Sequence, residues 1–174
     1  MSVSPATPFP RGLGQPLGRA RISQALLSLL ATAYPWGNTP SLVAELPENV
    51  SANQLPALFL VIPREKADQD QNFGQQRYQR KYGAIVYLKK DTIRGAQMFF
   101  SPLVEGLLDA LDLCIRQGPM TAAGQPTNPP QCAQQLGGLV THCWYDGEAQ
   151  LINASTNVGQ LAVLTVPITV LVGN

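Results

Sequence analysis

Arg77-Tyr78-Gln79-Arg80-Lys81-Tyr82-Gly83-Ala84-Ile85-Val86-Tyr87-Leu88-Lys89-Lys90 is the stretch that decides the fold. Successive side chains of a strand point to opposite sides, so the segment sorts into two sets. Tyr78, Tyr82, Ala84, Val86 and Leu88 share one face, with Arg80 at its outer end. Gln79, Lys81, Ile85, Tyr87 and Lys89 share the other. Such alternation predicts one long strand from Arg77 to Lys90, sided along most of its length and wetter at its start. An apolar strand face must be covered, and the flanking segments supply the cover.

Upstream, Ile22, Ala25, Leu26, Leu29, Leu30 and Ala33 follow the i, i+3, i+4, i+7, i+8, i+11 pattern. That predicts a helix over Arg19 to Tyr34, stopped by Pro35. Downstream, Val104, Leu107, Leu108, Leu111 and Ile115 form the stripe of a second helix, Pro102 to Arg116. Ser101 suits its N-cap, Pro102 its first position, and Gly118 with Pro119 its end. Leu58 to Ile62, between Pro56 and Pro63, fits a strand buried on both faces. Further strands are expected over Leu136 to Tyr145 and, after the Asp146-Gly147 turn, over Glu148 to Ile152. The last, Leu161 to Val172, contains Pro167, a residue that belongs at an edge or a bulge.

The order α–β–β–α–β–(β)–β predicts an α+β fold. Two amphipathic helices pack on one face of a four- to five-stranded, mostly antiparallel sheet. Residues 1–18 hold four prolines and three glycines and read as an extended N-terminal arm. Residues 19–174 then form a single domain with long loops at 35–54, 64–76 and 117–135. Loops of that length make most sense when ordered by contacts with other subunits.

Composition points the same way. Of 174 residues only 13% are charged, about half the usual share. Twelve basic against eleven acidic side chains leave a net charge of +1, which excludes a strongly basic nucleic-acid binder and an acidic disordered tail. A monomer so poor in charge is weakly soluble, so part of its surface is expected to lie under other protein. Ile22 to Ala33 imitates a signal sequence, but Ser23, Gln24 and Ser28 fall on one helical face. Leu161 to Val172 is too short for the roughly 20 residues of a bilayer span. The reading is a soluble protein, folded in a reducing cytoplasm, with no membrane partner. Cys114, Cys132 and Cys143 show no C-x-x-C spacing, so neither a disulfide framework nor a zinc site is suggested.

Catalytic chemistry is not visible. No phosphate-binding, dinucleotide, zinc-protease or serine-hydrolase motif occurs. His142 and Cys143 are adjacent on a strand and so point apart. Glu105, Asp109 and Asp112 read as a solvated helix face, because a metal would need oxygens converging from elsewhere. No catalytic, cofactor-binding or metal-binding residue is assigned, and no cofactor.

Charge is nevertheless segregated. Between residues 64 and 94 stand Arg64, Lys66, Arg77, Arg80, Lys81, Lys89, Lys90 and Arg94 against Glu65, Asp68, Asp70 and Asp91. From residue 95 onward, Arg116 is the one basic residue against Glu105, Asp109, Asp112, Asp146 and Glu148. Halves of opposite sign favour protein–protein contact. The candidate contact residues are Arg64, Lys66, Arg77, Arg80, Lys81, Asp109 and Asp112. The competing readings are a nucleic-acid patch, with Tyr78 and Tyr82 among the cations, and an ordinary solvated strand end.

The element order then resembles the tail terminator (tail completion) proteins of long-tailed bacteriophages. It rests on the first helix, the strand from Pro56 to Pro63, the long Arg/Lys-bearing strand and the helix with Leu107-Leu108-Asp109-Ala110-Leu111. The closing strands Val140-Thr141-His142-Cys143-Trp144-Tyr145 and Gly159 to Val170 complete it, so that residues 19 to 172 are covered. The resemblance implies a non-enzymatic virion protein at the tail–neck junction, assembled in the host cytoplasm. It implies a six-membered ring that caps the tail tube, ends its polymerisation and presents a surface to head-completion or neck proteins. DNA would pass through the lumen without specific recognition. The proline-rich arm and the 117–135 loop depart from the compact family core. The alternatives are another neck or connector protein and, in a different class, a small enzyme.

Overall fold

The computed structural model describes residues 16–67, 78–89, 102–117, 133–136, 139–156 and 159–172. The elements run α1 (Pro16–Ala31), β1 (Ser41–Val43), β2 (Ala57–Ala67), β3 (Tyr78–Lys89), α2 (Pro102–Gln117), β4 (His142–Tyr145), β5 (Gln150–Thr156) and β6 (Gly159–Val172). They build an α+β fold around a six-stranded mixed sheet. Its order is β1-β2-β3-β6, with β4 and β5 placed in tandem along the far side of β6. Every pairing is antiparallel except β1 with β2.

β3 and β6 form the spine, paired from Tyr78↔Val172 to Lys89↔Leu161. Tyr82, Ala84, Val86 and Leu88 of β3 and Leu164, Val166, Ile168 and Val170 of β6, together with Leu58, Leu60 and Cys143, enter one buried cluster. Ile22, Leu26 and Leu30 of α1 and Val104, Leu107, Leu111 and Ile115 of α2 close it from above. Both helices therefore lie on the same face, as the alternation in β3 requires. Each fully buried leucine contributes about 1.5–3 kcal/mol through burial, so this face dominates stability.

Four sequence expectations need correction. The 35–54 loop contains β1, a strand of three residues and too short for any periodicity to register. Asn38 prepares that edge: its side chain donates to the carbonyl of Leu58 at 3.1 Å and accepts from the Leu58 amide at 2.9 Å. β2 does not stop at Pro63 but continues to Ala67, taking the first residues of the expected 64–76 loop. The proline is tolerated because the pairing register shifts between Val61 and Arg64, so its missing donor vacates no ladder position. The expected strand over Leu136 to Tyr145 shrinks to β4, and a 3-10 turn covers Ala133–Gln135.

Pro167 is the fourth correction, since it lies in an interior strand opposite Gly83. The Asp146 amide donates to the Pro167 carbonyl at 2.9 Å. Amide and carbonyl of one strand residue face the same side, so the proline nitrogen faces the gap between β4 and β5. Pairing ends there at Tyr145↔Ile168 and resumes at Gln150↔Thr165. The missing N–H is placed where the ladder has no partner for it.

α1 begins three residues earlier than the apolar pattern indicates and ends at Ala31, before the expected stop at Pro35. The rest of the expected arm, the core of the 117–135 loop and the Ser101 cap lie outside the described residues.

Among the described residues, a second cluster covers half of the other face of the sheet. Val50, Ala57, Ile85 and Tyr87 are buried there, with Leu55, Phe59, Val61 and Val163 packed around them. Tyr87 donates its hydroxyl to the carbonyl of Pro47 at 3.3 Å and meets Phe59 edge to face. The incoming segment crosses closely enough to need glycine at one point. A Cβ on Gly37 would stand 2.5 Å from the backbone carbon of Gln54.

Candidate interaction surface

The other half of the second face begins where β2 changes parity. Before the bulge Ala57, Phe59 and Val61 belong to this face. After it, Arg64 stands opposite Lys81 and Lys66 opposite Gln79. Directly opposed residues of an antiparallel pair share a face. Continuing across the sheet, Lys81 stands opposite Thr169 and Thr169 opposite Trp144, while Gln79 leads to Leu171 and His142. Two rows of register positions result, Arg64–Lys81–Thr169–Trp144 and Lys66–Gln79–Leu171–His142.

Asp146 fixes the geometry of the first row. Thr169 Oγ1 donates to its Oδ2 at 2.6 Å, and Lys81 Nζ lies 3.2 Å from the same oxygen. The Thr169 hydrogen bond, then the Lys81 one, holds the Asp146 carboxyl below its ordinary value. Lys81 remains 64% exposed, against 35% for Asp146, so the pair is open to solvent. His142 and Trp144, two residues apart on one strand side, stack with ring centroids 5.3 Å apart.

The structure divides the residues singled out from sequence. Arg64 and Lys66 take their register positions on β2 beside Lys81. Arg77 lies outside the described residues. Arg80 does not belong to an exposed cationic edge: it is 7% exposed and sits on the helix face beneath α1. Even numbering puts it with Tyr78 and Tyr82, and its aliphatic stem is sealed there while Nη1 donates to the carbonyl of Arg19 at 2.9 Å. Asp109 is exposed on α2, across the sheet from the two rows. Asp112 is held within its own helix by Arg116, through contacts of 2.6 Å and 3.1 Å. Sequence reading missed Thr169, Asp146, His142 and Trp144 as parts of this surface. The alternation His142/Trp144 and the Asp146-Gly147 turn were the available signals, but their partner Thr169 is distant in sequence.

The two described thiols are buried, and Cys132 lies outside the described residues. Cys143 is fully buried and its thiol is pushed up to about 12 by burial. Cys114 is raised by burial as well and donates to the carbonyl of Leu29 at 3.1 Å. His142 and Cys143 occupy opposite sheet faces. Among the described residues no group of three or more His, Cys, Asp or Glu side chains is arranged to hold a metal ion. No described helix is long and apolar enough to cross a membrane. No protein-family model matches the chain, and no curated protein matches its sequence.

Proposed function

We propose that the chain is a non-enzymatic structural subunit of the tail-terminator kind. It closes into a six-membered ring on the end of a phage tail tube, ends polymerisation there and offers its free side to head-completion or neck proteins. The observation that carries the reading is the half-covered second face. Helices close the first face and residues 47–56 close half of the second, and beyond them Gln79 and Lys81 stay exposed among the described residues. With 13% charged residues, the chain is better suited to a surface covered by protein than to an isolated monomer. The element order of the terminator proteins supplies the assembly.

The test uses polymerising tail tubes. Adding the purified chain should narrow the tube length distribution, and gold-labelled chain should mark one tube end. Unchanged lengths together with unlabelled ends contradict the terminator role.

A further inference from the structure

We infer that the Asp146–Gly147 peptide is a site of spontaneous backbone isomerisation, and that Thr169 and Lys81 set its rate by holding the Asp146 carboxylate away from the main chain. The reaction needs no second subunit and is independent of the ring reading.

The chemistry is intramolecular. The Gly147 backbone nitrogen attacks Cγ of Asp146, and an N–Cγ bond forms. The carboxyl hydroxyl and the amide proton leave together as water. The resulting five-membered succinimide then takes up water at either carbonyl. Breaking the new N–Cγ bond restores aspartate. Breaking the original peptide bond leaves isoaspartate, whose main chain runs through Cβ and Cγ. Water is the one co-reactant.

Three observations place the reaction here. Attack is least hindered when the following residue has no Cβ, and exposed Gly147 has none. The Asp146 side chain is 35% exposed, so water reaches the ring for the second step. The dipeptide also stands where strand pairing is interrupted: β4 pairs with β6 as far as Tyr145↔Ile168, and β5 takes over at Gln150↔Thr165. The extra main-chain atom of isoaspartate falls outside the ladder, so the fold can hold the product.

The same structure supplies the brake. Thr169 Oγ1 and Lys81 Nζ both engage Oδ2, at 2.6 Å and 3.2 Å. To cyclise, the carboxyl must leave both and gain a proton, because a neutral carboxyl loses its oxygen as water far more readily than a carboxylate. Donors to the charged form oppose that proton, and the lowered titration of Asp146 agrees. Thr169 is buried, so its hydroxyl is a fixed donor. In isoaspartate the carboxylate hangs directly from Cα, which shortens its reach to Thr169 and Lys81 and loosens the lysine.

The test incubates the intact chain folded, at neutral pH and physiological temperature, and in parallel unfolded in urea. Isoaspartate at residue 146 is read from resistance to endoproteinase Asp-N and from electron-transfer fragmentation. The folded parent should convert about tenfold more slowly than the unfolded chain. Thr169→Val should quicken the folded reaction about tenfold, and Lys81→Gln by a smaller factor, with the unfolded rates unchanged. Gly147→Ala should suppress both reactions. Tyr82→Phe, which weakens the fold elsewhere, should leave the folded rate as it was. A folded parent free of isoaspartate once the unfolded chain has converted overturns the site. Folded rates that ignore Thr169→Val and Lys81→Gln, or that Tyr82→Phe raises equally, overturn the brake. Should Thr169→Val fail to fold, the exposed Lys81→Gln decides alone.

Discussion

Arg80 reaches the carbonyl oxygen of Arg19 across 2.9 Å, so a cation one residue from the exposed Lys81 belongs to the seam between β3 and α1. Its guanidinium also lies 5.4 Å from the centroid of the Tyr82 ring, while that of Arg19 lies 5.2 Å from Tyr78. Neighbouring cations on one strand thus have unrelated duties: one holds a helix, the other faces outward.

Substitution separates them. Arg80→Ala should lower stability in urea by about 1.5–3 kcal/mol, the worth of a charged hydrogen bond at a buried site. Lys81→Ala should cost less than about 1 kcal/mol, because an open ion pair contributes little. Equal losses would mean that the two residues are equivalent.

A second prediction concerns the hydroxyl pair beneath α1. Ser23 Oγ donates to the carbonyl of Arg19 at 3.1 Å, so the 2.9 Å contact with Tyr82 has the phenol as donor. Tyr82→Phe removes that donor together with its own need for a partner and should cost about 1 kcal/mol. Ser23→Ala leaves a buried phenol unsatisfied and should cost up to about 3 kcal/mol. Thermal denaturation of the two variants checks the order, and a reversed order contradicts the donor assignment.

High pH probes the buried acids. Burial raises Cys143 from 9.0 to about 12, and also raises Tyr82 above its ordinary 10.0. The unfolded chain therefore releases these protons first, and stability falls as pH rises above about 9. Cys143→Val should flatten the decline between pH 9 and 12 in urea titrations. An unchanged slope would remove the thiol from the explanation.

Low pH probes Asp146. Its value is held below 3.8 by the Thr169 and Lys81 contacts, so its contribution is present above that pH and is lost as pH falls through the folded value. Asp146→Asn should show a shallower loss of stability between pH 5 and 2. Nearby Gly147 adopts φ +98°, and a Cβ there would touch nothing closer than Pro167 Cγ at 3.7 Å. Gly147→Ala should therefore cost about 1–2 kcal/mol through backbone conformation alone, read as a lower urea midpoint. A neutral effect would show that the turn relaxes freely.

What could be read in the sequence follows from range. The alternation of β3 and the stripe of α2 are local patterns, and both elements stand where the residues place them. β1 was illegible because Ser41–Val43 is only three residues long and has no pattern of its own. Pro63 and Pro167 read as breaks because the sequence does not reveal that one meets a bulge and the other a handover between β4 and β5. The interaction surface suffered most. A parity change at the β2 bulge puts Arg64 in register with Lys81, whereas Arg80, the sequence neighbour of Lys81, is turned inward by simple alternation.

The central claim is that this chain is a ring subunit, and native mass spectrometry of the intact protein at micromolar concentration, repeated on tail-tube ends, tests it most directly. A closed six-fold species, free or formed on the tube, is the predicted result. A strict monomer that also ignores tube ends would contradict the account.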